Sequence, residues 1–322
     1  MMNTANNKNP LVILSGPTAV GKSELSIKLA KAIDGEIISA DSMQVYCGMD
    51  IGTAKITKEE MGDIPHYLID VLDPRDEFNI YTFKEMASKA AKEIQDKGKI
   101  PILVGGTGFY IQSILYDIDF TLAEDLSDYR KELSLIAQNK GNEYLHRMLE
   151  EADPVSANKI HANDTKRVIR ALEYYKQTGE CISSHNEEEG AKESPYNYCY
   201  FVLTDDRKVI YDRINIRVDK MIEKGLVEEV MALKNQGLNC DYVSMKGLGY
   251  KEILDYLDGR ITLDEAIYII KRDSRHFAKR QLTWFKRERD VIWLDKTTMS
   301  DEEILRKMII ELTNSQITEE RQ

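Results

Sequence analysis

Short apolar runs alternate with helical patterns along the first hundred or so residues, the arrangement that builds a parallel sheet covered by helices. Leu11-Val12-Ile13-Leu14 reads as a buried strand, and Leu25, Leu29 and Ile33 then recur every four residues on one face of a helix. Glu36-Ile37-Ile38-Ser39 predicts a second strand, and Ile100-Pro101-Ile102-Leu103-Val104 predicts another that ends at Gly105-Gly106-Thr107-Gly108. Tyr67-Leu68-Ile69-Asp70 is a weaker strand signal, whose Asp would be a candidate for a Mg²⁺-linked carboxylate. From about Thr121 to Ser194 the strand-like runs vanish. Helical segments such as Tyr129 to Ala137 and Thr165 to Tyr175 take over, and a polar, acidic stretch, His185 to Glu193, closes the region. Tyr198 to Leu203 resumes strand character, and Val291 to Leu294 predicts a late strand. Capping boxes at Thr262/Glu265 and Ser300/Glu303 open two late helices. The expected architecture is an α/β core from residues 1–120 and 195–322, with a mostly helical insertion at 121–194 standing over the site.

Between the first strand and its helix stands Gly16-Pro17-Thr18-Ala19-Val20-Gly21-Lys22-Ser23, which fits G-x-x-x-x-G-K-[S/T] at every fixed position. The expected fold class is therefore a P-loop NTPase-like parallel sheet flanked by helices. The glycines let the backbone turn its N–H groups toward phosphate oxygens, and the helix N-terminus adds partial positive charge. Lys22 would reach the outer phosphate and the Ser23 hydroxyl would ligate Mg²⁺. Asp41 lies just past the second strand, so Thr18, Asp41 and Thr107 would share one rim at the carboxyl ends of the strands. A carboxylate there can take a proton from an incoming nucleophile. Arg213 and Arg217, four apart on a predicted helix, read as a solvated pair on spacing alone, with Asp206, Asp212 and Asp219 nearby.

Composition narrows the class. The chain has 322 residues, 42% of them apolar, enough for one or two domains. Its polar, Asn-rich start has no apolar segment of signal-peptide length, and no later run approaches a membrane span. Four scattered cysteines and five dispersed histidines make no metal-ligand spacing, so a cytoplasmic protein with reduced thiols is expected. The net charge of −11 argues against nucleic acid, but Lys271 to Arg289 carries eight basic residues against Asp273 and Glu288 and includes Phe277, Trp284 and Phe285. Basic residues interleaved with aromatics suit a nucleic-acid face, and an amphipathic helix with a solvated face fits the same composition equally well.

Several longer stretches resemble the tRNA isopentenyltransferase (IPP transferase) family. They are the P-loop, Asp41-Ser42-Met43-Gln44-Val45-Tyr46, Gly48-Met49-Asp50-Ile51-Gly52-Thr53-Ala54-Lys55 and Pro65-His66-Tyr67-Leu68-Ile69-Asp70. Further on come Leu103-Val104-Gly105-Gly106-Thr107-Gly108-Phe109-Tyr110, Asn163-Asp164 leading to Arg167, Arg170, Ala171 and Leu172, Gly247-Leu248-Gly249-Tyr250-Lys251-Glu252 and Ala278-Lys279-Arg280-Gln281. The likeness spans nearly the whole chain in order. It implies transfer of a dimethylallyl group from dimethylallyl diphosphate to N6 of the adenosine 3′ of the tRNA anticodon, by a cytoplasmic monomer using Mg²⁺. It further implies that the base leaves the anticodon-loop stack to enter the site.

The same resemblance assigns roles. Asp41 is the proposed base, Thr18 and Arg217 contact the diphosphate during reaction, and residues Gly16 to Ser23 bind it. Asp41, Ser42, Met43, Gln44, Thr107, Arg130, Lys166, Arg167, Val168, Ile169 and Arg170 match tRNA contacts, and the helical insertion is the tRNA-binding domain. Cys47 stands where relatives often carry a basic residue, and Ala162 replaces a common Pro. The rival readings are a P-loop small-molecule or nucleotide kinase, an RNA-binding module with a decayed loop, and a prenyltransferase acting on free adenine nucleotides. Intact Lys22, Ser23 and Asp41 speak against the second, and Lys166, Arg167 and Arg170 against the third.

Overall fold

The structure, a computed structural model, describes residues 8–119 and 127–318. Six strands form one parallel sheet: β1 (Asn9–Ser15), β2 (Gly35–Ala40), β3 (His66–Tyr67), β4 (Ile100–Gly105), β5 (Tyr196–Thr204) and β6 (Val291–Asp295), in the order β3-β2-β4-β1-β5-β6. Four helices precede residue 116: α1 (Lys22–Ile33), the single turn α2 (Lys58–Met61), α3 (Ile80–Asp96) and α4 (Gly108–Leu115). Then come α5 (Ser127–Lys140), α6 (Asn142–Ala152), α7 (Pro154–Lys159), α8 (Thr165–Thr178) and α9 (Ile182–Ala191). The chain continues through α10 (Arg207–Glu223), α11 (Leu226–Asn235), α12 (Tyr250–Leu257), α13 (Leu263–Phe285) and α14 (Asp301–Asn314).

Two compact units result, one from the residues up to Leu115 together with those from Pro195 onward, the other from Tyr116–Ser194. In the first unit the strands are near-continuous apolar runs because parallel sheets are buried on both faces. Val12, Leu14, Ile37, Ile102, Phe201 and Leu203 join Leu25 and Leu29 of α1 and Ile304, Met308 and Leu312 of α14 in one core cluster. Helix α3 turns a stripe of Phe83, Ala87, Ala91 and Ile94 inward and contacts β2 and β4. The strand order matters for function: β2, β4 and β1 are neighbours, so the segments after Ala40, Gly105 and Ser15 emerge side by side at one edge.

The second unit has its own core of Leu133, Leu145, Leu149, Val168, Ile169 and Leu172. Asp153 is buried there, and its carboxylate accepts from Ser156 N (3.0 Å) and Oγ (2.7 Å) and from Ser183 N (2.9 Å) and Oγ (2.7 Å). Burial alone would raise its pKa; these bonds hold the carboxyl below its ordinary value. The polar stretch from His185 folds into α9, none of whose residues is buried.

The weak strand signal at Tyr67-Asp70 gives only two paired residues. Leu68 and Asp70 have left-handed backbones (φ 62° and 53°), which ends the strand. The Asp70 carboxylate pairs with the buried Lys55 ammonium, which also binds Tyr46 O and Asp50 (both 2.7 Å). Asp70 is therefore a partner of Lys55, and the Mg²⁺ role considered for it is corrected.

Gly105 lies where β4 and β2 are in register with Ala40, and a Cβ there would overlap the Ala40 carbonyl. Neither strand can move without breaking the ladder. Gly105→Ala is expected to destabilise the protein by more than about 2 kcal/mol, read as a lower denaturant midpoint at unchanged slope.

Candidate active site

The P-loop is held open by three left-handed or glycine-only conformations: Gly16 (φ 145°), Ala19 (φ 65°) and Gly21 (φ 96°). A Cβ on Gly16 would lie 2.7 Å from Leu203 O, so only glycine lets the loop leave β1 against β5. Ala19 has no such excuse and stores backbone strain beside the site. Lys22 Nζ curls back to donate to Gly16 O and Pro17 O, both at 2.9 Å. Loss of hydration and the nearby Arg217 push the Lys22 ammonium down to about 7, with Asp41 partly opposing them.

Arg217, on α10, donates from Nη1 to Thr18 Oγ1 at 3.4 Å. Desolvation lowers its pKa and Asp41 raises it. Its helical neighbour Arg213 is instead paired with Asp205 at 2.8 Å, so the two arginines that look alike in sequence have separate jobs. Asp41 Oδ1 accepts from Met43 N (2.9 Å) and Gln44 N (3.3 Å), which pins the turn after β2, and Oδ2 has no partner among the described residues.

Two cavities open on these groups. One, of about 220 Å³, is lined by Lys22, Ser23, Asp41, Gln44 and Arg217. The other, of about 360 Å³, is lined by Asp41, Ser42, Met43, Thr107, Phe277 and Arg280. Thr18, Asp41, Thr53, Arg217, Phe277 and Gln281 line both. The arrangement brings a phosphate cradle and a second chamber together across one carboxylate and one guanidinium.

Sequence reasoning did not assign the residues that brace this geometry. Gln281 of α13, buried, accepts from Thr18 N (2.9 Å) through Oε1 and donates to Gly106 O (3.0 Å) through Nε2. Gly106 and Gly108 are glycines because a Cβ would strike Gln281 and Trp284, respectively. Glu229 accepts from the N–H groups of Asp50 (2.9 Å), Ile51 (2.8 Å) and Gly52 (3.1 Å) and from Tyr250 Oη (2.7 Å). The Tyr250 ring lies against Gly52, where a Cβ would come within 2.5 Å. That loop in turn accepts Gln44 Nε2 at Thr53 O (3.3 Å) and Ala54 O (3.4 Å). The signal available beforehand was the Gly-Leu-Gly-Tyr and Lys-Arg-Gln stretches themselves, which carry no chemistry until the contacts are seen.

In the second unit, Lys166, Arg167 and Arg170 are exposed on α8, and Arg167 pairs with Asp164 at 3.3 Å. Val168 and Ile169 are core residues there, so their side chains are corrected from contacts to packing. Arg130 forms a two-point ion pair with buried Glu173 (2.7 and 2.8 Å), which fixes its guanidinium. The basic stretch from Lys271 divides by helix face. Ala278, Gln281 and Phe285 are buried, Phe277 and Arg280 reach the larger cavity, and Lys271 is tied to Asp219 at 2.5 Å.

No group of three or more His, Cys, Asp or Glu that could hold a metal ion occurs among the described residues. Ser23 at the first turn of α1 lines the smaller cavity. Mg²⁺ keeps several waters and takes phosphate oxygens as ligands, so one hydroxyl beside the cradle fits an ion that arrives with a diphosphate. No helix among the described residues is long and apolar enough to cross a membrane.

The sheet order, loop and paired cavities define a P-loop α/β protein built to hold a diphosphate beside a second substrate. The IPP transferase family model matches residues 44–288. A curated tRNA dimethylallyltransferase of Lachnoclostridium phytofermentans is 60% identical over 309 residues, spanning 96% of this chain and 99% of its own length. The solved tRNA isopentenylpyrophosphate transferase of Bacillus halodurans is 45% identical, with a TM-score of 0.73, over 96% of this chain and 97% of that one. A eukaryotic dimethylallyltransferase described as acting on tRNA is 30% identical, with a TM-score of 0.83, over 98% of this chain and 81% of that one. The chain belongs to the IPP transferase family.

The lowered Lys22 pKa has a sign that can be checked. Near pH 8 the amine is mostly neutral in the free protein, and a bound diphosphate restores the ammonium, so binding takes up a proton. Calorimetry at pH 8 in buffers of different ionisation enthalpy should register this uptake, and Lys22→Met should lose it. Affinity for diphosphate should fall as pH rises above 7.

Proposed function

We infer that this chain transfers the dimethylallyl group of dimethylallyl diphosphate to N6 of the adenosine immediately 3′ of the tRNA anticodon, releasing diphosphate. The carrying observation is the junction of the two cavities at Thr18, Asp41 and Arg217. A phosphate cradle alone would serve a kinase equally well. Here the cradle joins a larger chamber lined by Met43, Phe277 and Tyr250, suited to a flat base, and the relatives are named as transferases acting on tRNA.

Adenine N6 is a weak nucleophile because its lone pair is delocalised into the ring. Asp41 orients the amine and accepts its proton as the N6–C1 bond forms and the C1–O bond to diphosphate breaks. Loop N–H groups, Lys22, Arg217 and the Thr18 hydroxyl meet the charge that develops on the leaving oxygen, where each preorganised donor contributes on the order of 3 kcal/mol. Mg²⁺, held at Ser23 with the phosphates, adds further charge neutralisation when bound. Ser42, Met43 and Thr107 surround the flipped base, and Gln44 stands on the phosphate side of Asp41. Lys166, Arg167 and Arg170 grip the anticodon stem-loop backbone, with Arg130 set by Glu173. The working unit is a cytoplasmic monomer.

Incubation with Mg²⁺, unmodified tRNA carrying A-A-A after the first anticodon base and dimethylallyl diphosphate is expected to give one prenyl-sized mass gain on a nucleoside. No gain with this donor, alongside phosphoryl transfer from ATP, would favour the kinase. Asp41→Ala should cut kcat at least a hundredfold while tRNA affinity changes little; near-normal turnover would remove Asp41 as the base. Arg167→Ala with Arg170→Ala should weaken tRNA binding and flatten the slope of log K against log salt by about 1.5, measured by titration from low to moderate salt.

A further inference from the structure

The smaller cavity does not stop at the phosphate cradle. Beyond Lys22 and Ser23 it is lined by Ile37, Ile56 and Ile69, together with Ser26, Ser39 and His66. His66 lies in register with Ile37, four positions before Asp41 on the chain. At about 3.3 Å per residue the cavity wall runs roughly 13 Å down β2 from the carboxylate. A recess walled in part by isoleucines beside a diphosphate cradle is where a prenyl tail would lie, and that placement rests on the transferase reading.

Such a recess needs no histidine. Aliphatic side chains would enclose a hydrocarbon at lower cost, because an acceptor facing an apolar group stays unsatisfied. His66 Nδ1 lies 2.8 Å from Ile64 O, and a carbonyl can only accept, so Nδ1 carries the proton in this bond. Burial holds the imidazole below its usual pKa, so it is neutral near pH 7. Nε2 is then an unprotonated acceptor, and it has no partner among the described residues.

We propose that His66 is a donor-specificity residue, whose Nε2 accepts a hydrogen bond from a hydroxyl on the terminal carbon of the prenyl tail, so that the enzyme uses a hydroxylated allylic diphosphate as well as the plain hydrocarbon donor. The transfer step is unchanged: N6–C1 forms, C1–O breaks, the proton goes to Asp41 and the hydroxyl is carried through intact. A site that pairs with a substrate hydroxyl discriminates strongly when the pairing group is removed, whereas aliphatic contacts alone discriminate weakly.

The test compares kcat/KM for dimethylallyl diphosphate and for its analogue hydroxylated on a terminal methyl, in wild type, His66→Leu and His66→Gln, with thermal unfolding measured on each. The expected result is that the wild type uses both donors. The hydroxylated-to-plain ratio then falls at least tenfold in His66→Leu and is partly kept in His66→Gln, which retains an acceptor. A ratio unchanged in both variants, or a wild type that uses only the plain donor, overturns the proposal. A wild type that transfers neither donor overturns the transferase reading, and this inference with it. Because the readout is a ratio within one protein, a general loss of fold or activity does not imitate the expected result.

Discussion

The carboxamide of Gln281 fixes the working geometry. It is the link that ties the P-loop, through the N–H of Thr18, to the end of β4, through the carbonyl of Gly106. The Gln281 side chain is buried and both bonds are partly so, and leaving the carboxamide unpaired there would carry a desolvation cost of about 1–3 kcal/mol. Helix α13 can come this close only because Gly106 and Gly108 lack side chains. The same helix then sets Phe277 and Arg280 on the larger cavity. The strand order of the sheet, the glycines after β4 and the position of α13 are therefore one constraint, and the separation of the two cavities follows from it.

The charges at the junction form a second, dependent layer. Lys22 and Arg217 repel each other across the cradle, and Asp41 attracts both. Two like charges held this close oppose each other in the free protein. A diphosphate brings more than one negative charge into the same space and reverses the sign of that interaction, so relief of the repulsion adds to the direct attraction. The curled Lys22, satisfied by Gly16 O and Pro17 O, shows how the loop meets the ammonium through its own carbonyls.

The fold was legible because its signals are local. Each of β1, β2, β4, β5 and β6 announces itself as an apolar run, and the P-loop is readable from eight consecutive residues. Asp41 was placed at the rim because it follows a strand directly. What could not be read depends on distant partners. Gln281 is 263 positions from Thr18, and Glu229 is 179 from Asp50. No periodicity or spacing encodes such pairings. Arg213 and Arg217 look equivalent on one helix, and the positions of Asp205 and Thr18 separate them. Val168 and Ile169 sit within a basic run, and helical geometry rather than composition turns them inward.

The net charge of −11 and a polyanionic substrate are compatible for the same reason. Many of the acidic side chains are already engaged within the fold: Glu229 binds the Asp50-Gly52 backbone, Asp153 closes α7 and α9, Glu173 holds Arg130, and Asp205 holds Arg213. Carboxylates spent on such internal contacts, with their fields partly neutralised by N–H groups or guanidinium, project little potential into solvent beyond a Debye length of about 8 Å. The cations at the cavities have a different setting, since Lys22, Arg217 and Arg280 line open space. What an approaching phosphate meets is this local excess and not the sum over the chain. The larger cavity carries Arg217, Lys246 and Arg280 against Asp41 alone, so an acidic protein whose carboxylates serve elsewhere as structural ligands can hold a locally basic chamber without raising its total charge.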